Sequence, residues 1–205
     1  LLAAILHRSR ITVLSSRTII PGEAQGHVLA TTQPLSFWGG VDPATGDIID
    51  VHHPLCGCNL AGRILFMPTS CGSCSWSGVI LNLILSGRGP AALVLRDRED
   101  VLTLGVLIAG EMFGKQVPVV CLAPTAFDRL SHSRNARIYG GVLSTDLGDE
   151  LLLPPATSEL DLDKDDAAIL AGRDGIAAAQ AMKLVVAMAI QQRAKELLNI
   201  SRAHI

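Results

Sequence analysis

Aromatic residues are scarce in this chain, where they make up 3% of 205 residues. A core built from this sequence must therefore be aliphatic, since apolar residues still account for 49% of the chain and suffice for a sizeable interior. An excess of one charge is also lacking, because 17 basic and 19 acidic residues leave a net charge of −2. The sequence thus lacks the clustered basic face that typifies nucleic-acid-binding proteins, and we expect no nucleic-acid partner.

Long apolar runs are absent as well. Gly, Pro or charged residues interrupt each aliphatic stretch before it reaches the roughly 20 residues of a membrane-spanning helix. No secretory signal is visible, because basic residues follow the apolar residues 1–6 instead of preceding them. The five cysteines are an odd number, which favours reduced thiols in a cytoplasmic protein over a disulfide framework. We therefore expect a cytoplasmic protein without membrane association.

The most distinctive stretch is a turn of small residues at 67–78, which carries hydroxyl and thiol side chains. An apolar strand pattern leads into it at 63–67, and an apolar helical pattern leads out of it at 79–85. Such a turn favours an anionic ligand, because the first N–H groups of a helix lack partners and the helix dipole is positive there. Ser73, at its tip, is our first candidate for acid–base chemistry. The alternative is that Ser73, Ser75 and Ser77 only cap the helix.

The remaining patterns mix strands and helices. We predict strands over residues 18–20, 27–31, 47–51, 63–67, 91–95 and 117–122, helices ending near Ser86 and covering 100–112 and 124–130, and a closing hairpin over 136–144. A turn is predicted at 21–26. This mixture predicts an α/β fold in which helices cover a sheet or partial barrel. After Asp146 the composition changes, and we predict an extended acidic linker followed by a C-terminal helical extension.

The loop at 34–43 holds two of the few aromatic residues, so we expect it to pack against the core. Trp38 in this loop is more typical of a core plug than of a stacking platform. The pair Gly39 and Gly40 indicates backbone that is held close to another group or that adopts positive φ.

Two pairs of cysteines support a rival hypothesis, in which the loops bind zinc or an iron–sulfur centre. The possible ligands are Cys56 and Cys58, Cys71 and Cys74, with His52 and His53 nearby. This spacing is not specific, and small thiols in polar loops are the simpler interpretation. His53 likewise has two interpretations, a hydrogen bond to backbone or a contact with a ligand.

The combination of these segments is more specific than any single one. Residues 35–43, 53–57, 72–77, 104–105 and 117–120 together resemble the small swivelling domain of the aconitase X family, over about 18–145. Residues 170–175 and 201–205 resemble the opening of the same family's large domain. The resemblance implies a swivelling β/β/α domain. It also implies four regions, which are an N-terminal extension at 1–16, the swivel domain at 17–146, a linker at 147–164 and the truncated start of the large catalytic domain at 165–205.

The resemblance also implies a hydro-lyase. Members of the family dehydrate cis-3-hydroxy-L-proline or 5-phosphomevalonate, and the fused order of the two domains favours the hydroxyproline activity. A serine of the swivelling domain is the proton-abstracting base of the family, and by position it is Ser73. The resemblance places an iron–sulfur cluster on the large domain, so we expect no metal on this chain. We expect the large catalytic domain or subunit as partner, a small carboxylate as substrate, and substrate contacts from Cys71, Gly72, Cys74, Ser75, His53, Gly39 and Gly40.

Two departures from the family qualify these expectations. Many members have Gly-Arg-Gly-Ser where residues 70–73 of this chain read Ser-Cys-Gly-Ser. The missing arginine argues against a phosphorylated substrate and leaves a carboxylate to backbone N–H groups or to the other domain. None of the five cysteines matches the family's cluster ligands, so we expect the chain alone to be inactive, as a fragment of a fused enzyme or half of a split one. The competing hypothesis is a non-catalytic binding or metal-binding module.

Overall fold

The computed structural model describes residues 10–11, 16–71, 76–99 and 101–155. Within these ranges the chain forms nine strands and three helices. The strands are β1 (Arg10–Ile11), β2 (Ser16–Ile20), β3 (Ala24–Ala30), β4 (Ile64–Met67), β5 (Ala92–Leu95), β6 (Val119–Leu122), β7 (Asn135–Tyr139), β8 (Val142–Thr145) and β9 (Asp149–Leu152). The helices are α1 (Trp76–Leu85), α2 (Val101–Phe113) and α3 (Pro124–Leu130). None of these helices is long and apolar enough to cross a bilayer.

The described strands form one sheet in the order β1-β9-β8-β7-β3-β4-β5-β6-β2. Strands β3 to β6 run parallel, whereas β7, β8 and β9 form an antiparallel meander beside β3. The two ends of the sheet meet through side-chain hydrogen bonds from β2. The hydroxyl of Ser16 donates to the carbonyl of Leu152, the last residue of β9, at 3.0 Å. The hydroxyl of Thr18 donates to the carbonyl of Pro154, just beyond β9, at 2.5 Å. The sheet therefore curls into a partial barrel with helices, which confirms the predicted α/β class.

The two halves of the sheet bury their strands differently. Every residue of β4 and β5 is buried, as expected for parallel strands that are covered on both faces. Strands β7 and β9 alternate between buried and exposed residues, as expected for a sheet with one solvated face. A common apolar core joins the halves, and in it Phe66 of β4 packs against Phe127 of α3 with ring centroids 5.8 Å apart.

Two of the predicted elements are wrong in the first half of the chain. Residues 47–51 form only isolated bridges, because the Asp50 carboxylate accepts the N–H of His52 at 2.9 Å in a local turn that ends the extended run. The predicted turn at 21–26 overlaps β3, which begins at Ala24 because β7 supplies hydrogen-bond partners from there on. Gly26 allows a close approach inside this strand, since a Cβ there would lie 2.5 Å from the carbonyl oxygen of Gly62.

The role predicted for Trp38 is also wrong. Its side chain is 66% exposed, whereas the neighbouring Phe37 is fully buried and is the aromatic residue that anchors this loop in the core. Of these two adjacent residues, only Phe37, which has the smaller ring, points into the core.

Two further strands lie near the ends of the predicted swivel domain. Strand β9 lies within the stretch predicted as a linker and pairs with β8, so this part of the stretch belongs to the sheet. Strand β1 lies within the predicted N-terminal extension and pairs with β9. The chain divides into compact units at 1–157 and 158–205, and the predicted C-terminal helices lie outside the described residues.

Candidate active-site edge

The carboxyl ends of β3, β4 and β5 lie along one edge of the sheet, the position where ligands bind in parallel α/β sheets. The segments that follow these strands are joined by backbone hydrogen bonds. The N–H of Thr31 bonds to the carbonyl of Phe66, and the N–H of Asp97 to that of Pro68, both with N–O distances of 2.9 Å. Leu35 and Ser70 form a further parallel bridge. We call this set of segments the carboxyl edge.

Glu99 occupies the centre of the carboxyl edge, although it is only 5% exposed. The hydroxyl of Ser70 donates to Oε1 of Glu99 at 2.6 Å. The same carboxylate accepts the first backbone N–H groups of α2, at 3.2, 2.8 and 3.1 Å from Val101, Leu102 and Thr103. Four donors thus surround a buried carboxylate, which offsets the cost of removing its charge from water and caps the helix.

Cys71 follows Ser70 directly and keeps a neutral thiol. Its Sγ lies 3.8 Å from the carbonyl oxygen of Pro34, within reach of a weak S–H hydrogen bond. Burial and the nearby Asp50 carboxylate raise the pKa of the Cys71 thiol above its usual value of 9.0. The side chain is therefore protonated at neutral pH and carries no charge that would repel an anion.

His53 provides an oriented hydrogen-bond donor. Its ring is 6% exposed, and Nδ1 accepts the N–H of Leu55 at 3.2 Å. Because Nδ1 is the acceptor, the neutral ring carries its proton on Nε2. Nε2 is buried and has no hydrogen-bond partner among the described residues. Such a buried unpaired donor requires an acceptor from elsewhere, and this identifies His53 as a candidate binding residue.

The glycine pair links the loop of His53 to the carboxyl edge. Gly39 has φ of +73°, and a Cβ on Gly40 would lie 2.2 Å from the carbonyl oxygen of Ser36. Both possibilities predicted for this backbone are thus confirmed. The carbonyl of Gly40 accepts the N–H groups of Ile49 and Asp50 at 2.8 and 3.3 Å. Gly39, Gly40 and His53 therefore lie on connected loops, and Asp50 of this network is close enough to Cys71 to affect its pKa.

Four predicted site residues lie outside the described residues, namely Gly72, Ser73, Cys74 and Ser75. Their roles stay predictions. Ser77 is the second residue of α1. Sequence reasoning missed Ser70 and Glu99. The available signal was the acidic pair at 99–100, just before the apolar helical run of α2, since acidic residues are enriched at helix starts.

The metal hypothesis finds no support in the described part of the chain. No three His, Cys, Asp or Glu residues of that part lie together as a metal site would require. Cys56 is exposed and Cys58 half-buried, and both are free thiols. Cys74, the fourth proposed ligand, lies outside the described residues. The described residues thus do not fit the iron–sulfur cluster that the resemblance implies for the family.

Comparison with known families assigns both parts of the chain. Residues 13–145 match the aconitase X swivel domain, and residues 159–205 match the aconitase X first domain. The first match alone covers well over half of the chain.

Individual relatives agree with these matches. The cis-3-hydroxy-L-proline dehydratase of Hypocrea jecorina is 45% identical over 197 residues, which cover 91% of this chain. The phosphomevalonate dehydratase small subunit of Methanothermobacter thermautotrophicus is 42% identical over 94 residues, which cover 46% of this chain and 72% of that protein. The crystal structure of holo-form aconitase X from Thermococcus kodakaraensis aligns with a TM-score of 0.52 and 28% identity, over 67% of this chain and 94% of that one.

The chain spans 33% of the length of the Hypocrea jecorina dehydratase, so it corresponds to a part of such an enzyme. The matched domains, the parallel sheet and the polar loops at its carboxyl edge lead to one assignment. This chain belongs to the aconitase X family, and residues 13–145 are its swivel domain.

Proposed function

We propose that this chain is the swivel-domain part of a hydro-lyase that dehydrates cis-3-hydroxy-L-proline. One observation carries the choice of substrate. Similarity to the hydroxyproline dehydratase extends over 91% of the chain, whereas similarity to the phosphomevalonate dehydratase small subunit covers 46%. The longer match includes residues beyond the swivel domain, as a fused enzyme requires.

Ser73 is the proposed proton-abstracting base. In its deprotonated form, Oγ takes the proton from C2, the carbon next to the substrate carboxylate. The electron pair of that C–H bond forms the C2=C3 double bond, and the hydroxyl on C3 leaves with its bonding electrons. The hydroxide and the abstracted proton together make one water. α1 begins at Trp76, three residues after Ser73, and the positive end of its dipole favours the serine alkoxide.

The carboxyl edge suits a small carboxylate substrate. Cys71 is neutral because its pKa is raised, so it does not repel an anion. The Nε2–H of His53 is a buried donor without an acceptor among the described residues, and we assign it to the bound substrate. Gly72, Cys74 and Ser75 would add backbone N–H groups from the turn, and Gly39 and Gly40 would line the neighbouring loop.

The rest of the enzyme is proposed to supply the cofactor. Since the described residues offer no ligand set, the iron–sulfur cluster would be held by the large catalytic domain, which is also the expected partner. We place the start of that domain in residues 165–205, within the segment that matches the aconitase X first domain. A cytoplasmic location is part of the same proposal, as is the order of swivel domain, linker and truncated large domain.

Dehydration of 5-phosphomevalonate is the second candidate. The small-subunit relative favours it, since it is 42% identical over most of its own length. The cysteine at position 71, where many family members have arginine, is the feature that disfavours a phosphorylated substrate.

The direct test is an assay of the complete enzyme, prepared anaerobically. This chain is either joined to the remainder of the large catalytic domain or mixed with it. Both substrates are offered in parallel, and product is measured by mass spectrometry. We expect turnover of cis-3-hydroxy-L-proline and at most trace turnover of 5-phosphomevalonate. The reverse preference would overturn the choice of substrate, and turnover of neither would overturn the hydro-lyase proposal.

A further inference from the structure

Helix α2 contacts the chain on both sides of residues 72–75. Before them, its capping residue Glu99 accepts the hydroxyl of Ser70 at 2.6 Å. After them, Gly105 of α2 lies against the first turn of α1, where a Cβ would be 2.3 Å from the carbonyl oxygen of Ser77. One helix therefore holds the last residues of the strand exit and the first turn of the following helix.

We infer that Glu99 is a positioning residue of the proposed dehydratase, acting through its hydrogen bond to Ser70. The inference rests on the proposed function, because it assumes that Ser73 is the base. The bond joins the start of α2 to the chain just after β4, and Ser70 precedes Ser73 by three residues. It therefore fixes Ser70, which lies just before the segment that carries the proposed base.

The hydrogen bonds of Glu99 exceed what capping alone requires. Three backbone N–H groups of α2 already hold the carboxylate in place, and the hydroxyl of Thr103 donates to its backbone carbonyl at 2.5 Å. A helix cap needs no partner in another segment of the chain. Shorter side chains, such as those of serine and aspartate, commonly provide the cap. The additional bond to Ser70, made by a residue that is 5% exposed, links two elements separated by 29 positions in the chain.

Positioning predicts a specific kinetic signature. A displacement of about 1 Å of a reacting group costs on the order of a hundredfold in rate, while substrate binding by other residues is retained. Loss of the Ser70–Glu99 bond should therefore lower kcat and leave KM nearly unchanged.

The test compares two Ser→Ala variants in the complete enzyme. Ser70→Ala removes the bond to Glu99 and leaves the three backbone bonds of the cap. Ser133→Ala is the matched control. Ser133 is buried, and its hydroxyl donates to the carbonyl of Leu130 at the same distance of 2.6 Å. It follows α3 and is far from Ser70 in the sequence. Ser70→Thr retains the hydroxyl. We expect kcat to fall at least about tenfold in Ser70→Ala, with KM within about twofold, and to recover in Ser70→Thr.

Two results separate failure of this inference from failure of the proposed function. If Ser73→Ala is inactive but Ser70→Ala has the kcat of Ser133→Ala, the positioning role is wrong and the base assignment stands. If Ser73→Ala retains full turnover, the base assignment is wrong and the positioning role falls with it, whereas absence of turnover in wild type would overturn the proposed function. Should Ser70→Ala fail to fold, Glu99→Asp is the second variant, since aspartate caps helices well but reaches less far, and the same loss of kcat is expected.

Discussion

The parallel and antiparallel halves of the sheet differ in where their polar groups lie. In the parallel half, the central strands β4 and β5 are buried throughout, and polar groups lie in the loops at the carboxyl edge. In the antiparallel half, exposed and buried residues alternate along the strands, and in β7 the exposed residues are Asn135, Arg137 and Tyr139. The parallel half therefore presents a polar edge at the ends of its strands, whereas the antiparallel half presents polar side chains along its strands.

The stabilising interactions differ in the same way. The antiparallel half is held by its share of the apolar core, including Ile138 and Leu143, and by an ion pair between Arg129 of α3 and Asp149 of β9. The carboxyl edge is held by backbone hydrogen bonds between its segments and by the buried Glu99 carboxylate, which accepts the hydroxyl of Ser70 and three N–H groups of α2. From this comparison we propose that one half supplies the scaffold and the other the chemistry, and each of the following predictions tests that division.

The largest effect is expected at the proposed base. Replacing Ser73 with alanine should lower kcat by about a hundredfold to ten-thousandfold, because general-base catalysis contributes that much. The thermal midpoint should match that of wild type, since only one hydroxyl is removed. Steady-state kinetics and a thermal melt of the same preparation measure both. A wild-type kcat in Ser73→Ala would show that Ser73 is not the base.

The scaffold half should show the opposite pattern. Leu143 of β8 is fully buried, so Leu143→Ala should cost about 2–5 kcal/mol in the free energy of unfolding, through lost burial and the cavity left behind. Urea denaturation measures that loss. The kcat per folded molecule should be unchanged, and a large fall in it would show that the two halves are not separable.

His53 should give an intermediate effect on binding. His53→Asn places an oxygen near the position of Nδ1 and keeps the acceptor for Leu55, but it removes the Nε2 donor. We expect kcat/KM to fall about tenfold to a hundredfold, the usual range for one hydrogen bond to a charged group. His53→Gln, which restores a donor near the position of Nε2, is the matched control and should recover part of the loss. Equal kinetics in wild type and both variants would mean that the histidine is structural.

The smallest effect concerns the protonation of Cys71. Asp50→Asn should lower the pKa of this thiol towards its usual value of 9.0, because the carboxylate contributes to the increase. The asparagine still offers an oxygen to the N–H of His52, so the loop is retained. The pH dependence of alkylation at Cys71, resolved by mass spectrometry, measures the shift. An unchanged pKa would assign the increase to burial alone.

Much of the fold could be predicted from the sequence, because its strongest signals are local. Strands β4 and β5 are short apolar runs, α3 begins at a proline, and the hairpin of β7 and β8 turns at a glycine pair. Strand β9 and the early start of β3 could not be predicted, because their pairing depends on neighbours that are distant in sequence. Residues 47–51 have a strand-like composition, but Asp50 forms a local turn instead.

The candidate site was predictable only where resemblance or glycine chemistry pointed to it. The backbone of Gly39 and Gly40 follows the expectation, and His53 lies on a loop joined to theirs. The contact between Ser70 and Glu99 could not be predicted, since nothing in the sequence brings together two polar residues on different segments. Trp38 was misjudged because a general preference of tryptophan for the interior was applied to a loop in which Phe37 fills the core.

The most direct test of the central claim is release of deuterium from cis-3-hydroxy-L-proline that is deuterated at C2, followed by NMR with the complete enzyme. Wild type and the scaffold variant Leu143→Ala should both release this deuterium to water, because each retains the base. Ser73→Ala should show no release above the rate without enzyme. Wild-type release in Ser73→Ala would contradict the account, since the C2 hydrogen would then be removed by a group other than Ser73.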